Sequence, residues 1–331
     1  MDGNFNSHFE SHTGFWGTTL TPFCEIGYYM TPYIAEFWNC ISNIWYLVFG
    51  IPALISCKRN HFERRFFLLC FFVLIIGFGS GAYHMTMLPS WSPLDTAPMM
   101  GFQFSFSYIF TVMGIRPGER ITLRSAIAIG YGLLCLLMFM LGWAFPAAFN
   151  ILFLSIIAIY VPLSFFWCVY RVSKWESVKR LALWLMAGSC FGLAAMFWIL
   201  DKKLCFQLRN ARQSWSDHLG SVGTALGGIL ELHAWWHFFT AAALHAMTVL
   251  GEYIRCAQIG QPARYRDLLL CLKVVAKPVR GDPCEHPVLA SLTTREPLES
   301  VDGAPKLSQV DLGVPPFPEA PPSGDGQLKD N

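Results

Sequence analysis

Charge is scarce in this chain: only 14% of its 331 residues are Asp, Glu, Lys or Arg, whereas 54% are hydrophobic, the balance of a membrane protein. The net charge is only +2, and no long basic run or aromatic-basic interleaving occurs, so nucleic acid is not an expected partner. No CxxC pair is found among the eleven cysteines, most of which stand singly inside apolar runs as small buried thiols do. They do not form a disulfide framework. Lys and Arg are absent from the first 33 residues, which also lack the short apolar core of a cleavable signal, so insertion is expected to begin with the first spanning helix. No internal repeat is visible.

What is present is a series of seven apolar segments. They run from Ile34 to Cys57, Phe66 to His84, Thr96 to Gly114, Ile121 to Trp143, Phe149 to Tyr170, Leu181 to Leu200 and Leu219 to Leu250. Each is near or above the roughly 20 residues needed to cross a bilayer, and the last is long enough to project or tilt. The expected fold is an all-α membrane protein, a seven-transmembrane helix bundle. Three regions follow: an extramembrane lead-in, 1–33, a seven-helix transmembrane domain, 34–250, and a cytosolic tail, 251–331.

Orientation follows from the flanking basic residues. Lys58, Arg59, Arg64 and Arg65, then Arg116 and Arg120, then Arg171, Lys174, Lys179 and Arg180, then Arg255, Arg264 and Arg266 all fall on one side, which is the cytoplasm. The opposite side has no Lys or Arg in the lead-in or in the second and fourth connections. The sixth connection, with Lys202, Lys203, Arg209 and Arg212, is the exception. This places the N-terminus outside or in a lumen and the C-terminus in the cytosol. Residues 262–280 mix apolar and basic types and read as a short amphipathic helix on the membrane surface. Beyond about Gly281 the tail is rich in Pro, Gly, Ser and acidic residues, with too little apolar content to offset ordering entropy, and reads as disordered.

Ionisable side chains inside spanning helices are expensive and need a reason. His233 and His237, in Glu231-Leu-His233-Ala-Trp-Trp-His237, are four residues apart, which on a helix stacks both imidazoles on one face. The comparable cluster elsewhere is Gly79-Ser80-Gly-Ala-Tyr-His84, followed by Asp95. A lone intramembrane His is more often a hydrogen-bonded packing residue than a ligand. Three of them, two at helical spacing, point to a metal, because neutral imidazole is the usual nitrogen ligand of zinc and a catalytic site keeps three protein ligands plus water. His218 and His245 lie off that face or near its end and read as packing residues. Haem fits less well, since axial ligation needs one His from each of two facing helices.

Asp95 closes the connection 85–95, where a carboxylate can simply cap a helix. Beside a zinc-bound water whose pKa has fallen to roughly 7, it can instead accept and return a proton. Ser80, one turn before His84, is either a back-bonded helix serine or a hydroxyl that stabilises a substrate oxyanion.

Taken as a set, Gly79-Ser80-Gly-Ala-Tyr-His84, Leu94-Asp95 with Pro98-Met99, Trp198 and Asp201 with Cys205, Glu231-Leu-His233-Ala-Trp-Trp-His237, Cys24-Glu25 and Tyr33-Ile-Ala-Glu36-Phe-Trp-Asn39 resemble the alkaline ceramidases. Those are seven-helix hydrolases of the endoplasmic reticulum, Golgi and plasma membrane. The resemblance covers roughly residues 20 to 250. It implies zinc on His84, His233 and His237, Asp95 on the metal-bound water, and Ser80 as the oxyanion or substrate contact. The reaction it implies is hydrolysis of the ceramide amide to a sphingoid base and a fatty acid, in an endoplasmic reticulum or Golgi membrane. It makes Cys24 and Cys205 a candidate disulfide, where two free thiols would otherwise be expected.

The resemblance also implies a calcium site in the lead-in, with Glu25 and Glu36 among its ligands. Here Pro22 and Gly27 stand where Asp and Asn would be expected, and neither offers a side-chain oxygen. Thr96 replaces the acidic residue that commonly follows the catalytic aspartate. Two other classes stay open from the residues themselves. One is a seven-helix zinc-containing receptor or signalling protein with little or no hydrolase activity, and the other a haem-bearing or metal-transporting membrane protein.

Overall fold

The computed structural model describes residues 11–20, 23–113, 121–145, 178–258, 263–266 and 273–276. All of these belong to one compact unit, Met1–Ala290; a second, Ser291–Asn331, lies outside them. The expected fifth span, Pro22 and the tail beyond 276 also fall outside the described residues.

Most of what is described is helix. Two short strands, β1 (Ser11–Gly14) and β2 (Gly17–Leu20), pair as an antiparallel hairpin in the lead-in. Gly17 makes its turn at φ 96°, a conformation open to a residue without Cβ. Helices α1 (Phe37–Ser42) and α2 (Ile44–Arg59) follow almost without a break, then α3 (Arg64–Thr86), α4 (Ser92–Met113) and α5 (Ile121–Ala144). After these come α6 (Val178–Lys203), α7 (Cys205–Leu226) and α8 (Leu232–Gln258).

Among the described residues three helical stretches are long and apolar enough to cross a membrane: Phe37–Arg59, Arg64–Thr86 and Leu185–Lys203. Pro52 and Pro98 lie inside α2 and α4, which membrane helices tolerate because neighbouring groups satisfy the freed carbonyls.

The core follows helical periodicity. Phe66, Leu69, Val73 and Ile76 line one face of α3, Phe102, Phe106 and Ile109 one face of α4, and Leu244, Met247 and Leu250 the inner face of α8. α8 packs on α6 and α2, and α3 packs on α2 and α4, so α3 and α8 share the interior.

Two segments differ from the sequence reading. The run read as one span from Leu219 is broken: α7 ends at Leu226, residues Gly227–Leu230 form a 3₁₀ turn, and α8 starts at Leu232. Gly220 (φ 57°) already kinks α7, and four glycines between 220 and 228 weaken helix here. His233 and His237 therefore occupy the first two turns of α8 rather than the middle of a span. The expected amphipathic helix over 262–280 contains instead an antiparallel pair, β3 (Ala263–Arg266) and β4 (Lys273–Ala276). Alternating Arg264-Tyr265-Arg266 and the β-branched Val274-Val275 suit a pleated strand.

Candidate metal centre

His84 lies in the last turn of α3, which closes on Met87 in a left-handed conformation with its N–H on the Tyr83 carbonyl. At the same end of the bundle α8 begins, which brings His233 and His237 against His84. Ring centroids are 5.2 Å apart for His84 and His233, 5.0 Å for His84 and His237, and 4.8 Å for His233 and His237. Among the described residues this is the one group of metal-ligating side chains whose donor atoms gather, all within 4.8 Å of one another.

All three imidazoles are buried. His84 turns Nδ1 to Glu36 Oε2 at 2.7 Å and His237 turns Nδ1 to Ser42 Oγ at 2.7 Å. His84 Nε2 and His233 Nδ1 are buried with no partner. A buried polar atom left unpaired costs about 1–3 kcal/mol, and two of them inside one histidine cluster fit a metal that takes their lone pairs. The residues present therefore fit a zinc-type nitrogen donor set.

Asp95 sits in the first turn of α4, beside His84 and Ser80. Its Oδ1 and the Ser80 hydroxyl are both buried, and each is a polar neighbour of the other. Ser80 is not back-bonded to its own helix. The contact depends on Gly79, where a Cβ would run into the Leu94 carbonyl, so only glycine lets α3 approach the start of α4 this closely. Thr96 donates its hydroxyl to the Ser92 carbonyl at 3.2 Å and points away from this chemistry.

The lead-in closes over this end of the bundle. Cys24 and Cys205 form a disulfide with Cα atoms 5.1 Å apart. Asp201, at the end of α6, accepts the Cys24 N–H at 3.1 Å on one oxygen and the His233 N–H at 3.2 Å on the other. Arg209 Nε and Arg212 Nη2 donate to the Cys24 carbonyl at 2.9 and 3.0 Å, and Arg212 Nη1 pairs with Glu231 at 2.7 Å. Asp201 carried a sequence signal as part of the quoted motif. Ser42 carried none, and Arg209 and Arg212 stood out only as a basic exception to the charge pattern, because their partners are distant in the chain.

Glu25 and Glu36 both hold groups of the chain itself. Glu25 accepts the main-chain N–H of Trp38 at 2.7 Å and of Asn39 at 2.9 Å, one on each oxygen. Burial, with the Glu36 carboxylate near it, pushes the Glu25 carboxyl up to about 8. Glu36 Oε2 holds Asn39 and His84. Gly27 has no side-chain oxygen to offer a cation, while Glu36 Oε1, Asn39 Oδ1 and Asn43 Oδ1 are buried oxygens without a hydrogen-bond partner. His245 packs its ring 5.5 Å from Phe49, and His218 is exposed on α7 with Nδ1 at 2.7 Å from the Ser214 carbonyl, so neither joins the cluster.

Known proteins of this type share the same stretch of chain. The chain is 26% identical over 256 residues to alkaline ceramidase 3 of Mus musculus, covering 76% of this chain and 89% of the relative. It is 24% identical over 280 residues to alkaline ceramidase YPC1 of Saccharomyces cerevisiae, 76% of this chain and 82% of the relative. With the alkaline ceramidase of Arabidopsis thaliana it shares 24% over 255 residues, 75% of this chain and 89% of the relative. The family model for ceramidase matches residues 17–275, from the hairpin of the lead-in to β4 and through all three histidines, and the chain belongs to the ceramidase family.

Proposed function

We propose that this protein hydrolyses the amide bond of ceramide within the membrane, releasing a sphingoid base and a free fatty acid, with zinc held by His84, His233 and His237. The supporting observation is the gathering of three buried imidazoles, two with unpaired ring nitrogens, beside the Asp95 carboxyl and the Ser80 hydroxyl, which neighbour each other. Membership of the ceramidase family supplies the substrate class.

Bound there, zinc polarises a carbonyl oxygen and lowers the pKa of water to about 7. The remaining work belongs to the chain. Glu36 Oε2 accepts a hydrogen bond from His84 Nδ1–H, which fixes the tautomer that leaves the Nε2 lone pair free for a metal. Ser42 does the same for His237 Nδ1. Asp95 takes a proton from the attacking water and returns it to the amine nitrogen as the carbon–nitrogen bond breaks. Ser80 Oγ–H donates to the amide oxygen as negative charge develops on it, a contact of the kind whose loss costs about 10²–10³ in rate.

The bundle is proposed to have seven spanning helices, with a lumenal N-terminus and a cytosolic C-terminus, in the endoplasmic reticulum or Golgi. Support comes from the basic residues on one side and from the Cys24–Cys205 disulfide, which suits an oxidising lumen. The basic exception on the lumenal side has a structural use: Arg209 and Arg212 tie down Cys24 and Glu231, and Lys202 Nζ lies 4.4 Å from the Trp198 ring centroid. Ceramide enters from the bilayer.

The test is incubation of the purified protein with a panel of ceramides, following release of sphingoid base, with elemental analysis of the same sample. Release with one zinc per chain is expected. Bound zinc without release would favour a receptor, and a Soret band would favour haem.

A further inference from the structure

Phe23 neither binds metal nor carries a proton, yet its ring is the nearest aromatic group to the histidines among the described residues. Its centroid lies 3.9 Å from that of His233, with 30° between the planes, and 5.1 Å from that of His84. Aromatic pairs usually sit 4.5–7 Å apart, so the contact with His233 is a close face contact. The rings of Tyr83 and Tyr46 are farther, at 5.5 Å from His84 and 6.3 Å from His237.

The following residue is fixed from several directions. The disulfide to Cys205, the Cys24 N–H on Asp201 and the Cys24 carbonyl on Arg209 and Arg212 leave the lead-in no freedom at this point. Because Asp201 also accepts the His233 N–H, one carboxylate sets the spacing between the lead-in and the helix that carries two of the histidines.

The histidines occupy the ends of two helices, where side chains ordinarily meet water. They are buried nonetheless, His84 at 0%, His233 at 4% and His237 at 1% exposure. The lead-in covers them, and among its described residues Phe23 is the one whose ring packs on theirs.

We propose that Phe23 is a positioning residue for the metal centre, an aromatic cover latched through Cys24. It holds the imidazoles of His233 and His84 and closes the lead-in side of the site to water and competing ligands. The proposal rests on the metal reading above. Removing the ring leaves every tether at Cys24 in place, so the cover can be tested without cutting the latch.

The experiment uses the full chain in detergent, loaded with zinc, and measures metal content and then the rate of zinc loss to an excess of a strong chelator. Phe23→Ala is expected to start with the wild-type metal content and release it ~10-fold faster or more, the lower end of the range for lost outer support. Phe23→Trp, which restores an aromatic face, is expected to release at close to the wild-type rate. Release from Phe23→Ala at the wild-type rate overturns the cover, and so does release from Phe23→Trp as fast as from Phe23→Ala. A wild-type chain that takes up no stoichiometric zinc overturns the metal reading itself, an outcome already visible in the elemental analysis before chelator is added.

Discussion

Glu36 Oε2 and His84 Nδ1, 48 positions apart in the chain, lie 2.7 Å from each other in the buried end of the bundle. A carboxylate on the outer nitrogen of a metal-ligating imidazole fixes the tautomer and raises the basicity of the other nitrogen. Replacing Glu36 with Gln keeps the shape and an acceptor oxygen but removes the charge. Zinc affinity is expected to fall by about 10- to 100-fold while the chain stays folded, as measured by competition with a chelator of known affinity. Unchanged affinity would separate Glu36 from the metal centre.

The ligand and proton-handling roles separate in two variants. His237→Ala is expected to lose metal and turnover together, because two imidazoles no longer complete a three-ligand site. Asp95→Asn is expected to keep its metal while turnover falls by roughly 10²–10⁴, the usual contribution of a general base. Metal content and sphingoid-base release on each purified variant check both, and an active Asn variant would remove Asp95 from the proton path.

Gly79 tests the contact between α3 and α4. A methyl group there meets the Leu94 carbonyl, so Gly79→Ala must push apart the helices that bring Ser80 and Asp95 together. Overpacking of this kind costs about 1–3 kcal/mol. Thermal unfolding should show that loss, and turnover should fall further than stability alone accounts for. Gly81→Ala is the control, because its added Cβ would meet Asn43 at an ordinary 3.7 Å.

Glu25 gives a pH dependence with a definite sign. Its carboxyl is raised from 4.5 to about 8 by burial first and by Glu36 second, with the main-chain N–H groups of Asn39 and Trp38, and then Arg212, opposing. Between those values the folded chain holds a proton that the unfolded chain releases, so this group's contribution to stability is present below about 4.5 and lost as pH rises toward 8. Glu25→Gln, which stays neutral, should flatten that part of the stability profile. An unchanged slope in thermal unfolding between pH 5 and 8, the interval between the two values, would show that Glu25 ionises at its ordinary pH.

Much of the candidate site was readable because helical spacing is local. His233 and His237 at i and i+4 must share a face of α8, and Ser80 and His84 must share a face of α3, whatever the rest of the chain does. The pairing of Cys24 with Cys205 came from resemblance, since nothing local in the chain specifies a partner far away, whereas the joining of His84 to the other two histidines followed from the cost of placing three imidazoles in spanning helices. The reading failed where composition misleads. The polar composition of residues 205–218 reads as a connection, but they form most of α7, whose Arg209 and Arg212 bind the lead-in. Ser42 and Phe23 gave no signal at all, because a hydroxyl or phenyl group acquires meaning only from what it touches.

By itself the sequence determined the membrane character, the helical faces and the chemistry on offer, since apolar content, a 3.6-residue period and side-chain type are properties of short stretches. The tertiary structure alone decided which groups meet: Asp201 under both Cys24 and His233, Glu36 behind His84, and Phe23 over the rings. Those contacts join segments as far apart as Phe23 and His233, and they arise because packing α3 and α8 side by side brings their ends, and the lead-in above them, to one place.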